Sequence, residues 1–322
     1  MNRKLRIIYM GTPPFAVEPL RAIVQAGYNV LAVITAPDKP AGRGQKIQFS
    51  AVKEFALENN IRILQPEKLK DPDFVAELKN LNANLQVVVA FRMLPELVWQ
   101  MPEYGTLNLH ASLLPQYRGA APINHAIMNG ETETGLTTFF IEQEIDTGNI
   151  ILSRKLPILP SDDAGALHDK LMVAGGEVVL ETLKLIETGN IKIQTQDTIL
   201  PDKTLLYPAP KIFKPDCRIN WADQCVKIHN QVRGLSPFPA AFSYLITDNE
   251  VTKQVKIFRT SFILTDSIGS PGTIITDHKN SFSIAAGDGI IRIEELQLEG
   301  KKRMTVSEFL RGIKIPDHFR FE

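Results

Sequence analysis

Short apolar runs and amphipathic stretches alternate through the first half of the chain. The short runs have the length of buried strands, and the stretches at 51–58 and 71–81 carry apolar residues at helical spacing. Strands that alternate with helices are typical of an α/β domain, with a mostly parallel sheet covered on both faces. The predicted strands span residues 5–10, 29–35, 61–64, 85–90 and 107–110.

The next part of the chain completes this predicted domain. Two later apolar runs, 135–141 and 150–156, are predicted as a pair of strands that could run antiparallel. A long amphipathic helix is predicted over 164–187, and Gly189 follows it as a stop signal. Residues 190–208 are polar, lack hydrophobic periodicity and contain prolines, so they are expected to form a linker.

A different pattern begins at Ala209, where short runs alternate with turn signals such as Gly287-Asp288-Gly289. Strands at this spacing predict a small β-barrel or an open sheet. The domains are accordingly placed at 1–189 and 209–322, on either side of the linker. The predicted strands of the second domain are 255–262, 272–276, 281–285 and 290–297, and its predicted helices are 222–234 and 304–312.

The composition is that of an ordinary soluble globular protein, with 44% apolar and 22% charged residues. Lys plus Arg and Asp plus Glu number 36 each, although Lys and Arg are in slight excess from Ala209 onward. Net charge therefore gives no sign of a nucleic-acid partner. The small excess of Lys and Arg after Ala209 is consistent with such a partner but does not establish one. Cys217 and Cys225 match no zinc or redox motif and are expected to be free thiols. No signal peptide or membrane span is recognised, so a cytoplasmic location is expected.

Two hydrogen-bonding side chains, Asn108 and His110, lie on the strand predicted at 107–110. Because they are two residues apart, both project from the same face of the strand. In a sheet covered on both faces such side chains cost free energy unless they are satisfied or used. Ligands bind at the carboxyl ends of strands in this architecture. The pair is therefore either a satisfied polar cap or part of an active site.

The residues that follow favour an active site. After the strand, the chain leaves through ASLLP at 111–115, and RGAAP at 118–122 then opens a helix with a proline near its first turn. About thirty residues later Asp146 precedes a Thr-Gly turn. Asp146 is either a plain turn residue or the carboxylate that orients His110 and sets its charge state.

Three segments resemble the signature of N10-formyltetrahydrofolate-dependent formyltransferases and hydrolases. They are NLHASLLP at 108–115, RGAAP at 118–122 and DTG at 146–148. The resemblance implies a Rossmann-like, mostly parallel formyltransferase domain followed by a smaller, OB-like β-barrel domain. It also implies that 10-formyltetrahydrofolate is the formyl-donor co-substrate.

The resemblance places the catalytic Asn, His and Asp of this family at Asn108, His110 and Asp146. When an amine attacks a formyl carbon, Asn108 can donate a hydrogen bond to the oxyanion, and a protonated His110 can add charge. His110, or a water held by His110 and Asp146, can move the proton. This chemistry requires no metal, and the sequence contains no cluster of metal ligands.

Two segments are expected to line the folate site by the same resemblance. The SLLP segment has this role in the family, and a Phe-Arg pair replaces the Tyr-Gly that often precedes a neighbouring loop. The arginine of that pair is expected to meet a folate carboxylate or a tRNA phosphate, or to point to solvent. The residues expected to bind folate are Ser112, Leu113, Leu114, Pro115, Phe91 and Arg92.

Two basic segments bear on which amine accepts the formyl group. The loop at 36–46 is either a solvated surface loop or a contact for the tRNA acceptor end, as in family members that act on methionyl initiator tRNA. The run at 301–303 is either an exposed charged turn or an edge for the tRNA backbone. The chain also resembles those members from end to end. The residues expected to bind tRNA are Lys39, Arg43, Lys46, Lys301, Lys302 and Arg303.

The leading hypothesis is transfer of a formyl group to methionyl initiator tRNA by a monomeric enzyme. Formylation of an amino sugar is an alternative, against which the Gly42-Arg43-Gly44 loop argues. Hydrolysis of the formyl-folate is another. A non-catalytic RNA-binding protein is a third, but nothing structural in such a protein would demand Asn108, His110 and Asp146 together.

Overall fold

The computed structural model describes residues 4–41, 46–200, 202–247, 253–266, 269–313, 315–316 and 318–322. The chain divides into two compact units, and each collects segments that are distant in sequence. The N-terminal unit comprises Met1–Gly119, Glu133–Pro157 and His168–Pro208. The C-terminal unit comprises Ala120–Thr132, Ile158–Leu167 and Ala209–Glu322.

The N-terminal unit is built on a seven-stranded sheet. The strands of this unit are β1 (Arg6–Gly11), β2 (Asn29–Ile34), β3 (Lys39–Ala41), β4 (Lys46–Gln48), β5 (Ile63–Leu64), β6 (Leu85–Val89), β7 (Thr106–His110), β8 (Glu133–Phe140) and β9 (Ile150–Pro157). The sheet order is β5-β2-β1-β6-β7-β8-β9, and β3 pairs with β4 separately. The first five strands in that order are parallel to one another. Strand β8 runs antiparallel to β7, and β9 runs antiparallel to β8. The predicted mostly parallel sheet with a late antiparallel pair is confirmed.

Helices cover both faces of this sheet. The helices of the N-terminal unit are α1 (Val17–Gln25), α2 (Ala51–Glu58), α3 (Pro72–Asn80), α4 (Glu96–Trp99), most of α6 (Ala164–Thr188) and α7 (Gln196–Ile199), whereas α5 (Pro122–Met128) belongs to the C-terminal unit. A Cβ added to Gly175 of α6 would lie 3.0 Å from Cδ2 of Leu109, so α6 packs closely on that side of β7. On the opposite face, residues of α3 and α4 join an apolar cluster around Val88, which includes Phe91 and Ile141 from loops. None of the described helices is long and apolar enough to cross a membrane.

The stretch after β2 contains a hairpin formed by β3 and β4. Its base is fastened by Asp38, whose carboxylate accepts hydrogen bonds from Gln65 Nε2 at 2.8 Å and from Lys53 Nζ. These bonds, that from Gln65 first, lower the pKa of Asp38. Residues 42–45 lie outside the described residues.

Residues 190–208, expected to form a linker, belong to the N-terminal unit and bond to the rest of it at several points. Gln194 forms an isolated antiparallel bridge with Ile150. The Gln116 side chain donates to the carbonyl oxygen of Leu205 at 2.9 Å and accepts from the Tyr207 N–H at 2.8 Å. These contacts place the segment beside the loop that follows β7.

The C-terminal unit contains an antiparallel sheet that nearly closes into a barrel. From Ala209 onward its elements are α8 (Cys225–Leu235), β10 (Ala241–Ile246), β11 (Lys253–Leu264), β12 (Ile274–Thr276), β13 (Phe282–Ala285), β14 (Gly289–Leu298), β15 (Met304–Thr305), α9 (Val306–Gly312) and β16 (Arg320–Phe321). The sheet order is β12-β13-β14-β11-β10-β16, with β15 beside β14. A bridge between Thr273 and Arg320 joins the two outer edges, which confirms the predicted small barrel.

The interior of this barrel explains one strand that the sequence pattern did not predict. In β10, Ser243 points inward and is fully buried, where it accepts a hydrogen bond from Trp221 Nε1 at 2.8 Å. An inward polar residue interrupts the apolar run and hides the strand. Cys217 and Cys225 are both buried and free, as expected.

Candidate active site

Asn108 lies on the face of β7 that is opposite to Leu109. In the strand register it sits between Val88 of β6 and Phe139 of β8, both apolar. It is the least buried residue of β7, and no described residue forms a hydrogen bond with its side chain. A half-buried carboxamide among apolar neighbours is costly unless a ligand uses it. The structure therefore presents Asn108 as a free donor.

His110, two residues further along the same face, is 6% exposed. Its Nε2 lies 2.9 Å from the carbonyl oxygen of Tyr117, which can only accept, so Nε2 is the donor. Its Nδ1 lies 3.7 Å from Oδ2 of Asp146. The structure thus brings together the histidine and the carboxylate that the sequence analysis assigned to one site.

Asp146 reaches His110 on a loop that leaves the far end of β8. The loop starts where the Ile141 N–H donates to the Thr106 carbonyl oxygen at 2.8 Å, four residues before His110 along β7. It then turns back, and Oδ2 of Asp146 accepts from the Gly119 N–H at 2.9 Å. The loop therefore brings Asp146 from the Thr106 end of β7 to the His110 end.

The segment expected to line the folate site is held rigidly against β8. Thr137 Oγ1 donates to the Ser112 carbonyl oxygen at 2.7 Å and accepts from the Leu114 N–H at 3.2 Å. Ser112 Oγ donates to the Gln116 carbonyl oxygen at 2.6 Å. Ser112, Leu114 and Pro115 are buried, and Leu113 is half-buried. Most residues of this segment are therefore buried and hold the shape of the site, and Leu113 is the most accessible of the four.

Phe91 and Arg92 follow β6 on the Asn108 side of the sheet. Phe91 is half-buried against the apolar cluster around Val88. The Arg92 guanidinium donates to the carbonyl oxygens of Glu67, at 2.8 Å, and Pro66, and lies 5.5 Å from the centre of the Phe91 ring. Partial burial lowers the pKa of Arg92. Arg92 therefore fastens this loop to its neighbour.

One residue that shapes the site was missed by the sequence analysis. Gln196 lies in the segment expected to be a linker and is 3% exposed. Its side chain bonds to the backbone of Asp146 and Gly148 and to Arg118. A single buried glutamine in a polar stretch has no periodic signal, so only its contacts reveal it.

The basic residues expected to bind tRNA lie in both units. Lys39 is exposed, Lys46 belongs to β4, and Arg43 lies outside the described residues. In the C-terminal unit, Lys301 and Lys302 are exposed. Arg303 is also exposed, but its Nε donates to Glu295 at 2.7 Å and its guanidinium lies 4.5 Å from the centre of the Phe258 ring.

These groups suit attack of a nucleophile on a carbonyl carbon. The Asn108 carboxamide can donate to a developing oxyanion, and His110 and Asp146 face each other where a proton must move. Val88 and Phe139 flank the donor and keep its surroundings apolar, which strengthens such a hydrogen bond.

Known proteins share both the sequence and the fold of this chain. The formyl transferase family matches residues 3–183, and the C-terminal domain of formyl transferase matches residues 211–314. A methionyl-tRNA formyltransferase of Bacteroides thetaiotaomicron is 53% identical over 317 residues, 98% of this chain and 98% of that protein.

Two solved structures have the same fold at lower sequence identity. HypX from Aquifex aeolicus, in complex with tetrahydrofolic acid, has a TM-score of 0.63 and 20% identity, and the match covers 98% of this chain and 49% of that chain. WlaRD, a sugar 3N-formyl transferase, has a TM-score of 0.63 and 24% identity, with 93% of this chain and 100% of that chain covered. Sequence and fold together establish that the chain belongs to the formyl transferase family.

Proposed function

We propose that this protein transfers the formyl group of 10-formyltetrahydrofolate to the amino group of methionyl initiator tRNA. The product is N-formylmethionyl-tRNA, used in translation initiation. The observation that carries the chemistry is the free Asn108 carboxamide beside the facing pair His110 and Asp146. The relative from Bacteroides thetaiotaomicron, at 53% identity along nearly the whole of both chains, supports the choice of acceptor.

In the proposed reaction, Asn108 donates a hydrogen bond to the formyl oxygen as the amine attacks. The negative charge on that oxygen grows in the transition state, so the bond stabilises the transition state more than the ground state. A preorganised donor of this kind contributes about 3–4 kcal/mol. Since Val88 and Phe139 flank Asn108, the donor is not lost to competing protein groups.

His110 and Asp146 handle the proton that the attacking amine loses. Nδ1 of His110 and Oδ2 of Asp146 lie 3.7 Å apart, longer than a hydrogen bond, so each can bond to a group that enters beside them. When protonated, His110 can pass the proton to the folate nitrogen as the bond to the formyl carbon breaks. The Asp146 carboxylate stabilises the imidazolium in the meantime.

The co-substrate 10-formyltetrahydrofolate would supply an activated formyl group. The residues proposed to hold it are Ser112–Pro115, Phe91 and Arg92, on the loops that follow β7 and β6. The half-buried Phe91 and Leu113 offer apolar surface on these two loops, which fits a flat heteroaromatic ring. Arg92 is already bonded to the carbonyl oxygens of Pro66 and Glu67, so its proposed part is to hold the loop's shape.

The tRNA is proposed to contact basic residues of the hairpin after β2 and of residues 209–322. Lys39 is exposed and pairs through β3 with the β4 strand of Lys46, and Arg43 lies between them in the sequence, outside the described residues. Lys301 and Lys302 are exposed and available to phosphates, whereas Arg303 is bonded to Glu295 and is a weaker candidate. We further propose that the enzyme acts as a monomer in the cytoplasm, where charged tRNA is found.

The test is a formylation assay with 10-formyltetrahydrofolate and three acceptors. Charged initiator methionyl-tRNA is expected to be formylated, whereas uncharged initiator tRNA and a nucleotide-linked amino sugar are not. Failure to formylate the charged tRNA would overturn the proposal. Faster formylation of the amino sugar would assign the alternative function, and release of formate without any acceptor would indicate a hydrolase.

A further inference from the structure

The buried side chain of Gln196 links the two loops that carry the candidate site. Gln196 is the first residue of α7 and is 3% exposed. Its Nε2 donates to the carbonyl oxygens of Asp146 and Gly148, at 2.8 Å each. Its Oε1 accepts from Nε and Nη2 of Arg118, at 3.0 and 2.6 Å. The full hydrogen-bonding capacity of the carboxamide is therefore used.

These partners determine which end of the Gln196 carboxamide faces which loop. Carbonyl oxygens only accept and guanidinium N–H groups only donate. An exchange of Oε1 and Nε2 would place donor against donor at Arg118 and acceptor against acceptor at the 146–148 turn. Because the group is buried, water does not replace a lost bond, and each unmade bond is costly. Gln196 thus specifies the separation of the two loops.

The loops joined in this way hold both partners of the His110 ring. Tyr117, beside Arg118, accepts the hydrogen bond from Nε2 of His110 at 2.9 Å. Gly119, on the other side of Arg118, donates to Oδ2 of Asp146 at 2.9 Å. A shift of Arg118 relative to the Asp146 turn would therefore change how the carboxylate meets the imidazole.

The backbone of Asp146 needs such a restraint. Its φ is 55°, in the left-handed region that non-glycine residues adopt at a cost. A residue stays there only when its surroundings hold it. The carboxylate is held by Gly119 and the carbonyl oxygen by Gln196, so the two bonds together fix the residue.

We propose that Gln196 is a positioning residue for formyl transfer, which sets the direction and distance of the Asp146 carboxylate relative to the His110 ring. The inference rests on the function proposed above for His110 and Asp146. Gln196 acts through backbone atoms and through Arg118, and it needs no contact with either substrate.

The test uses three variants of the full chain. Gln196→Glu keeps the size of the side chain and still accepts from Arg118, but its carboxylate cannot donate to the two carbonyl oxygens. Gln196→Met removes all four bonds without adding a buried charge. Gln194→Glu is the matched control, because Gln194 is an exposed residue of the same segment and no described residue bonds to its side chain.

We expect kcat for methionyl-tRNA formylation to fall about a hundredfold in Gln196→Glu, because a displacement of about 1 Å in a catalytic group has this effect. KM for both substrates should stay close to that of the unsubstituted protein, whereas the melting temperature should fall, because buried hydrogen bonds are lost. Protonation of the new carboxyl restores one O–H donor, so the ratio of variant to unsubstituted kcat should rise as pH falls. Gln196→Met should lose kcat without that recovery, and Gln194→Glu should match the unsubstituted protein at each pH.

Two results would overturn the role of Gln196. One is an unchanged kcat per folded molecule in Gln196→Met or Gln196→Glu. The other is a loss of activity that only follows the loss of folded protein, measured by circular dichroism. If the unsubstituted protein does not formylate methionyl-tRNA, the proposed function itself is overturned, so the two failures are distinguishable.

Discussion

Nε2 of His110 donates a hydrogen bond to the carbonyl oxygen of Tyr117, 2.9 Å away, while Nδ1 faces the Asp146 carboxylate at 3.7 Å. Because a carbonyl oxygen can only accept, Nε2 keeps its proton whether the ring is neutral or charged. Only Nδ1 exchanges a proton, on the side of the ring that faces the carboxylate. In the proposed reaction, Nδ1 is therefore the atom that takes up and returns the proton.

The neutral His110 ring is expected to be the Nε2–H tautomer. In protein labelled with ¹⁵N-histidine, the neutral ring should show an Nδ1 resonance with the shift of an unprotonated nitrogen and an Nε2 resonance with that of a protonated one. The spectrum of His110→Gln identifies the signals by their disappearance. A neutral ring protonated at Nδ1 would contradict the geometry.

Asn108→Ala is expected to lower kcat for formyl transfer by about 10²- to 10³-fold, because it removes the donor to the oxyanion. Asn108→Asp should lose as much, since a carboxylate of the same size cannot donate. Steady-state kinetics measures both, and Asn190→Ala is the control because Asn190 is exposed and no described residue bonds to its side chain. Normal kcat in Asn108→Ala would remove Asn108 from the mechanism.

Gly135→Ala is expected to destabilise the protein and to raise KM for the folate co-substrate. The added Cβ would lie 2.2 Å from the Arg154 carbonyl oxygen and 2.5 Å from Cδ2 of Leu113. Overpacking of this kind costs about 1–3 kcal/mol, measured by urea denaturation. Gly312→Ala is the control, since a Cβ there meets no heavy atom within 4 Å. Unchanged stability and KM in Gly135→Ala would contradict this expectation and would show that the backbone moves enough to accommodate the added methyl group.

Arg43→Ala is expected to raise KM for methionyl-tRNA and to leave folate affinity unchanged, because the basic segment 36–46 is proposed to contact phosphates. Titration with a non-reactive folate analogue measures the second quantity. If folate affinity fell as much as tRNA affinity, Arg43 would belong to the folate pocket. The tRNA effect should shrink as salt concentration rises, since salt screens phosphate contacts.

Asp277→Ala is expected to lower the melting temperature at about pH 7. One oxygen of Asp277 accepts from the N–H groups of Ser281, Lys279 and Asn280, at 2.8–2.9 Å, and these bonds lower its pKa from 3.8 to about 2. A carboxyl group whose pKa is lower in the folded state than in the unfolded state stabilises the protein at pH values above the unfolded-state pKa. This stabilisation is lost as the pH falls through the folded-state pKa.

The difference in melting temperature between the unsubstituted protein and Asp277→Ala should therefore shrink between about pH 4 and pH 2. Asp266→Ala serves as the control, because Asp266 is exposed and no described residue forms a hydrogen bond with its carboxylate. A difference that is constant from pH 7 to pH 3 would show that the carboxylate's charge does not stabilise the turn.

The parallel sheet, the late antiparallel pair and the small barrel follow from local patterns, because each strand and helix buries its own apolar positions. The helix predicted at 51–58 is α2 (Ala51–Glu58), residue for residue. Asn108 and His110 were also recognisable locally, because two polar side chains on one face of a buried strand break the apolar pattern. The strand β10 was not recognisable from the local pattern, because the inward-facing Ser243 forms a hydrogen bond inside the barrel and interrupts the apolar run.

The sequence by itself thus determined most of the long elements and the order in which they follow, and it proposed Asn108, His110 and Asp146 as the candidate site. Only the tertiary structure decided how Asp146 meets His110, how Arg92 is engaged and that Gln196 is buried beneath the site. These contacts are made by single side chains and join residues at least 36, 25 and 48 positions apart, respectively. Such contacts leave no periodic trace in the chain, because they depend on where folded loops meet rather than on which face of an element is apolar.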